Sequence, residues 1–177
     1  MNALTRFDVV AIGNAMVDVL ANMDDEFLTR HNMPKGMMTL IDADLAEQIY
    51  GHIADNGVEC SGGSAANTAV GIAAMGGKPA FIGKVADDRL GEVFREDITK
   101  SGVHFTTPCL ENERPTARCM VIVSPDAQRT MNTYLGACSK LSRKDIDEEL
   151  IRQTKIVYME GYLWDRPEAK DALAYAV

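Results

Sequence analysis

The sequence predicts an α/β fold in which helices flank a mainly parallel sheet and a small second sheet lies beside it. Short apolar runs alternate with segments of helical period through most of the 177 residues. Continuous apolar runs such as Phe7–Ile12 suit strands that are buried on both faces of a parallel sheet. Between residues 103 and 135 the alternation gives way to a run of hairpins, which predicts the second sheet.

Composition and charge exclude several classes of function. The chain is 46% hydrophobic and 25% charged, which is ordinary for a single globular domain of this length. Its net charge of −8 argues against a nucleic-acid partner, because phosphate binding needs a basic surface. No apolar run reaches the roughly 18 residues of a membrane-spanning helix, and no signal-peptide pattern is present. We therefore expect a cytoplasmic protein without a membrane partner.

Cysteine and histidine spacing gives no sign of a disulfide framework or a metal site. The cysteines form no Cys-x-x-Cys pair, so we expect free thiols in a reducing compartment. The histidines show no spacing typical of metal ligands, and we expect no metal site among them. The residues concerned are Cys60, Cys109, Cys119 and Cys138, with His31, His52 and His104.

Strand and helix signals alternate through the first hundred residues. Aspartates precede two of the expected helices as caps, either Asp24 or Asp25 for the first and either Asp42 or Asp44 for the second. Apolar residues recur on one face of the helix that follows the second cap. We expect strands at 7–13, 37–41, 58–60 and 79–85, and helices at 24–32, 42–53, 64–75 and from about 91 to 100.

The pattern after residue 100 predicts the second sheet and then a return to α/β alternation. Strands are expected at 103–110, 116–123 and 130–135, with a hairpin turn at 124–128. With segments 15–22 and 36–41, the stretch 103–135 is expected to form a small lid sheet that excludes water from a site. An ordinary antiparallel extension is the alternative. A helix capped by Ser142 over 142–153, a strand at 156–159 and a helix from Pro167 complete the chain.

A pair of glycines marks the candidate binding site. Gly62 and Gly63 follow a short strand and precede a helix rich in small residues, so backbone N–H groups can approach a bound molecule. Asn67 lies one turn into that helix, where its amide can donate and accept. The pattern indicates a cradle for a small molecule with hydroxyl groups. The alternative is a simple turn with Ser61 or Ser64 as the helix cap.

The known phosphate-binding motifs do not fit the sequence. The stretch Gly71–Lys78 departs from the Walker pattern and lies at a helix C-terminus, where the dipole repels phosphate. The pattern Gly-x-Gly-x-x-Gly is absent, which disfavours a nucleotide-binding oxidoreductase.

Two polar residues interrupt the apolar stretch after the first strand. Asn14 and Asp18 are surrounded by apolar neighbours. A buried carboxylate is costly unless it is paired or hydrogen-bonded. Asp18 therefore either caps local backbone or accepts from a ligand hydroxyl. The residues alone leave both roles open and slightly favour the backbone role.

Several of these stretches together resemble the PfkB, or ribokinase-like, family of carbohydrate kinases. The resemblance extends over essentially all 177 residues and is greatest to the adenosine kinase branch. The stretches that carry it are Gly13–Asp18, Gly62–Ala69, Gly76, Ile82–Gly91, Arg129–Thr130, Leu135–Ala137 and Tyr158–Tyr162.

This resemblance implies ATP-dependent phosphorylation of a primary hydroxyl on a nucleoside, adenosine first, or on a ribokinase- or fructokinase-type sugar. It assigns Asp18, Gly63 and Asn67 to the sugar hydroxyls, with Asn14 and Gly62 nearby. It implies that Arg129 is a lid residue that stabilises the transferred phosphate, the alternative being a solvated turn arginine. Met38, Leu40 and Leu135 are candidates for the substrate pocket.

The resemblance also implies that part of the catalytic machinery lies elsewhere. ATP and Mg²⁺ are the implied cofactors, but the Gly-Ala-Gly-Asp motif that carries the family's base is absent. The family's Asn-x-x-Glu motif, linked to magnesium and phosphate, also belongs to the C-terminal half. We therefore expect residues 1–177 to be the N-terminal part of one domain, inactive alone, without its ATP-binding part. The alternative is a non-catalytic module that binds a nucleoside or sugar. In either case we expect a monomer or a homodimer formed through the lid sheet.

Overall fold

The protein contains two sheets with helices between and around them. The computed structural model describes residues 5–177. In chain order the strands are β1 (Phe7–Ile12), β2 (Met16–Asn22), β3 (Met38–Leu40), β4 (Val58–Gly62), β5 (Pro79–Ile82), β6 (His104–Phe105), β7 (Ala117–Val123), β8 (Arg129–Tyr134) and β9 (Thr154–Met159). The α-helices are α1 (Asp25–Arg30), α2 (Ala43–Ile53), α3 (Ser64–Ala74), α4 (Arg89–Lys100), α5 (Glu148–Arg152) and α6 (Pro167–Tyr175). Short 3₁₀ segments lie at Gly136–Lys140, Arg143–Asp145 and Gly161–Asp165.

The first sheet has the order β6-β5-β1-β9, and all of its pairs are parallel. Because side chains alternate across a strand, β1 supplies both faces. Val10 and Ile12 join the apolar cluster that contains α6, whereas Ala11 joins the cluster that contains α3 and α4. Both faces are thus covered, as the continuous apolar run of β1 predicts. This α/β architecture, with a parallel sheet flanked by helices, confirms the expected fold class.

The second sheet has five strands in the order β3-β8-β7-β2-β4. Its inner face packs Val17, Val19, Met120 and Ile122 into the same cluster as Ile49 of α2 and Phe94 of α4. Its outer face leaves large apolar side chains exposed, namely Leu20, Met38, Leu40 and Val58. The sheet therefore has one covered face and one open face.

The hairpin region differs from the expectation in two respects. The strand expected at 103–110 is reduced to His104–Phe105, which pairs with β5 in the first sheet and not with the second. Phe105 lies 5.8 and 5.3 Å from the rings of Phe81 and Phe94, and this buried aromatic cluster holds the segment on the first sheet. The short strand expected at 58–60 extends to Gly62 and becomes an edge strand of the second sheet, antiparallel to β2.

The helix expected at 142–153 is broken in the middle. The Ser142 backbone N–H and hydroxyl donate to Asp145, which closes the first short turn. The carboxylate of Asp145 also accepts from Lys84, so the turn is tied to the end of β5. Asp147 then caps a separate helix, α5, through the Glu149 and Leu150 N–H groups. Asp24, Asp42 and Asp88 cap α1, α2 and α4 with their side chains.

Across residues 5–177, every helix is too short or too polar to cross a lipid bilayer.

Candidate functional site

Asp18 is the second of five side chains in a row across the outer face of the second sheet. It pairs with Cys60 of β4 on one side and with Cys119 of β7 on the other. The row continues through Thr133 of β8 to Leu40 of β3. Directly paired residues share a face, so all five side chains point away from the packed interior. The sheet register therefore places a carboxylate between thiols, a hydroxyl and an exposed leucine.

The carboxylate of Asp18 sits directly over Gly62. A Cβ built on Gly62 would overlap the Asp18 carboxyl atoms, so any larger residue would displace them. Burial raises the pKa of Asp18 to about 6, because the charged form loses hydration at this position. Its carboxylate makes no hydrogen bond to a group within the described part of the chain. Asp18 therefore presents an acceptor that a hydroxyl-bearing ligand can satisfy.

Gly63 turns the chain from β4 into α3. Its φ is +103°, and a Cβ there would overlap the carbonyl oxygen of Asn14, so only glycine suits the position. Gly63 is the cap residue of α3. The simple-turn alternative required Ser61 or Ser64 to cap the helix, and neither does so. Ser61 donates both its N–H and its hydroxyl to Asp97 of α4.

Asn67 lies one turn into α3 with its side chain exposed. Its backbone N–H donates to the Gly63 carbonyl at 2.8 Å, which places it in the first turn of the helix. Its side-chain amide forms no hydrogen bond to any residue in 5–177. The amide is thus available to donate to, and accept from, a ligand.

Asn14 is hydrogen-bonded to Glu160, a residue to which the sequence analysis gave no role. Its side-chain Nδ2 donates to Glu160 Oε1 at 2.5 Å, and its backbone N–H reaches the same oxygen at 3.3 Å. Both residues are buried, with Glu160 only 3% exposed. Asn14 therefore lies beside Gly63, and its amide is already engaged by Glu160. The signal for Glu160 was its place directly after β9, at the carboxyl end of the parallel sheet.

Two of the three pocket candidates, Leu40 and Met38, lie on the face that carries Asp18. Leu40 is three strands from Asp18 in one row, about 14 Å away at the usual strand spacing. Met38 lies one row further along the same strand. Leu135 follows β8 and leads into a 3₁₀ turn, so it is outside the strand register.

Arg129 lies at the far end of the second sheet. It starts β8 and pairs with Val123, which pairs with Asn22, four residues along β2 from Asp18. That separation is about 13 Å along the strands. The guanidinium is exposed and projects from the open face of the sheet, as Asp18 does. The structure thus brings Asp18 against Gly62, places Asn67 one turn beyond Gly63, and leaves Arg129 apart from them.

Three hollows in the described part of the chain lie away from the site. Hollows of about 500, 480 and 250 Å³ are found elsewhere, and none of the three is lined by Asp18 or Asn67. The largest lies beside Phe7 and His104, at the opposite ends of the parallel strands.

The residues present do not fit ATP or Mg²⁺. No group of three or more metal-ligating side chains occurs within residues 5–177. The pattern Asn-x-x-Glu, assigned to the C-terminal half of the family, does occur once at 56–59. There Glu59 accepts from Tyr50 and from Arg89, so its carboxylate is fully engaged in the fold.

The chemistry of the gathered groups suits a polyhydroxylated ring. A carboxylate accepts, an amide both donates and accepts, and the glycine turn leaves the backbone bare for close approach. Neighbouring hydroxyls of a sugar offer the complementary donors and acceptors. The exposed apolar side chains along the same face suit a second, less polar part of a ligand.

Comparisons with known proteins bear on the family and the fold of the chain. The family model described as pfkB family carbohydrate kinase matches residues 29–176, which include both site glycines and Asn67 but not Asp18. Adenosine kinase from Sinorhizobium meliloti superposes with a TM-score of 0.87 at 52% identity, over 97% of this chain and 52% of that one. A probable sugar kinase from Rhizobium etli gives 0.88 at 46% identity, over 98% and 52%.

Among curated relatives, probable fructokinase-5 from Arabidopsis thaliana is 31% identical over 103 residues, 57% of this chain and 32% of its own length. The chain thus spans about a third of this relative and about half of each solved structure.

Proposed function

Because the chain belongs to the pfkB family of carbohydrate kinases, we propose that it forms the acceptor-binding part of an ATP-dependent kinase. The acceptor is a primary hydroxyl of a nucleoside, adenosine first, or of a sugar. The observation that carries this proposal is the Asp18 carboxylate over Gly62, which is unpaired and lies on the outer face of the second sheet. Asn67 supplies the second polar group at the start of α3.

Asp18 and Asn67 orient the ring of the acceptor. A carboxylate that accepts from two adjacent hydroxyls fixes both the position and the rotation of a furanose. A ring fixed in this way presents its primary hydroxyl in one direction. Such orientation of the attacking group favours phosphoryl transfer. ATP would supply the transferred phosphoryl group. Arg129, whose guanidinium is exposed at the far end of the second sheet, is proposed to stabilise the charge of that phosphate.

A nucleoside is favoured over a simple sugar by the apolar groups in the Asp18 row. Leu40 and Met38 are large and exposed on the face that carries Asp18, whereas a sugar alone offers little apolar surface to cover them. A purine has two apolar faces and extends several ångströms beyond its ribose. The 52% identity to an adenosine kinase supports the same choice.

A sugar is the second candidate. The 46% identity to a probable sugar kinase and the 31% identity to a probable fructokinase support it. In that case the hydroxyl-binding groups have the same role, but the ligand leaves the exposed apolar side chains of the second sheet uncovered.

Ligand titration of this chain tests the proposal. Adenosine, ribose and fructose are titrated separately by isothermal calorimetry, and thermal unfolding is followed with each, since a ligand that binds the folded state raises the Tm. We expect adenosine to bind most tightly and ribose and fructose to bind weakly. Tighter binding of fructose than of adenosine would support the sugar as the acceptor. No binding and no Tm shift with any of them would contradict the proposed function.

A further inference from the structure

Glu160 is a buried carboxylate for which the proposed function gives no role. It follows β9 and lies beneath the start of α3, 3% exposed. Its two oxygens accept four hydrogen bonds from two separate segments. Oε1 accepts from the backbone N–H and the side chain of Asn14, and Oε2 accepts from the Ser64 hydroxyl at 2.9 Å and the Ala65 N–H at 3.1 Å.

These bonds replace a cap that α3 cannot provide for itself. Gly63 occupies the cap position and has no side chain, so the first turn lacks a local acceptor. Glu160 reaches it from 95 residues away, and its acidic group also suits the positive end of the helix dipole. Glycine is needed at the turn for its φ of +103°, and a distant carboxylate supplies the capping that glycine lacks.

The same carboxylate joins the two halves of the candidate site. Asn14 leads into β2, which carries Asp18, and Ser64 and Ala65 lead into the turn that carries Asn67. The approach is close. A Cβ on Gly13 would lie 2.5 Å from both Glu160 Oε2 and the Ala65 Cβ. The separation of Asp18 from Asn67 therefore depends on how Glu160 holds these segments.

We infer that Glu160 is a positioning residue, whose carboxylate sets the start of α3 against the Asn14 segment so that Asp18 and Asn67 reach one ligand. This inference rests on the proposed function for its ligand. Glu160 acts through Asn14 and the helix and not by touching the ligand, since both its oxygens are already engaged and it is buried.

The test compares three variants with one matched control. Glu160→Ala removes all four bonds, Glu160→Gln keeps the shape but replaces one acceptor by a donor, and Ser64→Ala removes a single donor at an exposed position. The control is Asp147→Ala, which also removes a helix-capping carboxylate, but at α5, beside the opposite end of β9. Two properties are measured by NMR on each full chain, namely the exchange rate of the Ala65 amide without ligand and the Kd for adenosine.

We expect Glu160→Ala to speed Ala65 exchange and weaken adenosine binding, each by about tenfold or more, as loss of several charge-assisted bonds implies. Glu160→Gln and Ser64→Ala are expected to give smaller changes, with the change in Kd proportional to the change in Ala65 exchange rate. Asp147→Ala is expected to change neither property. If Glu160→Ala does not fold, Glu160→Gln and Ser64→Ala carry the same comparison.

Two results would overturn the inference. Faster Ala65 exchange with an unchanged Kd would make Glu160 structural only, and a weaker Kd with unchanged exchange would indicate direct ligand contact. If the unaltered chain binds no nucleoside, the proposed function fails. The positioning role is then decided without ligand, by whether the variants speed Ala65 exchange and shift the side-chain amide resonance of Asn67 while Asp147→Ala does not.

Discussion

The carboxylate of Asp18 occupies the space that a side chain on Gly62 would fill. Asp18 lies in the middle of β2, and Gly62 ends β4 two residues beyond the position paired with Asp18. The strand register and the glycine together place the acidic group at the turn into α3. This relationship explains why the glycine pair and the aspartate, 44 positions apart, act as one structural unit.

Replacing Asp18 with asparagine should stabilise the ligand-free chain at neutral pH. Burial raises the pKa of Asp18 from 3.8 to about 6, so the folded state holds this proton more tightly than the unfolded state does. Its stability therefore falls as pH rises from about 4 to 6, and the penalty is complete above that range. Asp18→Asn removes the penalty, a gain of about 2–3 kcal/mol at pH 8.

Urea unfolding at pH 3.5, 5 and 8 measures this gain. It should be small at pH 3.5, where the aspartate is protonated in both states, and should grow towards pH 8. An equal effect at all three values would show that Asp18 is not held in a desolvated position.

Alanine at either site glycine should damage the fold, whereas alanine at a nearby glycine should not. Gly62→Ala forces a Cβ into the Asp18 carboxylate, and Gly63→Ala adds a clash with the Asn14 carbonyl at a positive φ. We expect each to lower the free energy of unfolding by about 2 kcal/mol or more. The control is Gly71→Ala in α3, which meets open space and should stabilise the chain by up to about 1 kcal/mol. Comparable losses at all three positions in thermal unfolding would contradict the close approach.

Asn67→Ala should separate ligand binding from stability. The side chain is exposed, and alanine favours the helix more than asparagine does. The Tm should therefore stay the same or rise slightly, while adenosine binding weakens by about tenfold, the usual value of one or two ligand hydrogen bonds. Thr68→Ala, the next exposed position on α3, is the control and should leave the Kd unchanged. An unchanged Kd in Asn67→Ala would remove this residue from the site.

The pair of Lys84 and Asp145 should matter for stability and not for the ligand. The two groups form a 2.5 Å ion pair with side chains 10% and 6% exposed. Asp145→Asn leaves a buried cation without its partner and should cost about 3 kcal/mol or more. Glu96→Gln breaks an exposed pair with Lys100 on α4 and should leave the Tm unchanged. A Tm shift of similar size in both variants would show that burial does not distinguish the pairs.

The sequence was sufficient for the elements whose signals are local. The apolar run of β1, the aspartate caps and the glycines before α3 each depend on neighbouring residues, and the structure has them at the expected positions. The resemblance brought Asp18 and Asn67 forward as partners of the glycines, and the strand register then explains how Asp18 reaches them.

Long-range contacts could not be predicted from the sequence. Glu160 lies 146 positions from Asn14, and nothing in the local pattern says that one carboxylate serves both Asn14 and α3. The aromatic contacts that draw Phe105 to the first sheet, and the turn that Asp145 closes within an expected helix, likewise depend on tertiary partners. Arg129 lies at the far end of the second sheet because β8 pairs with β7 in this register, and its neighbours in the sequence do not indicate that position.

The most direct test of the account compares adenosine with 2′,3′-dideoxyadenosine in ¹H–¹⁵N NMR titrations of the chain. The two ligands share the base and the primary hydroxyl and differ only in the hydroxyls assigned to Asp18 and Asn67. We predict that adenosine shifts the resonances of Gly62, Gly63 and Asn67, and that the dideoxy compound binds at least tenfold more weakly, since the site's polar groups are left unpaired. Equal affinity for the two ligands, or shifts confined to other parts of the chain, would contradict it.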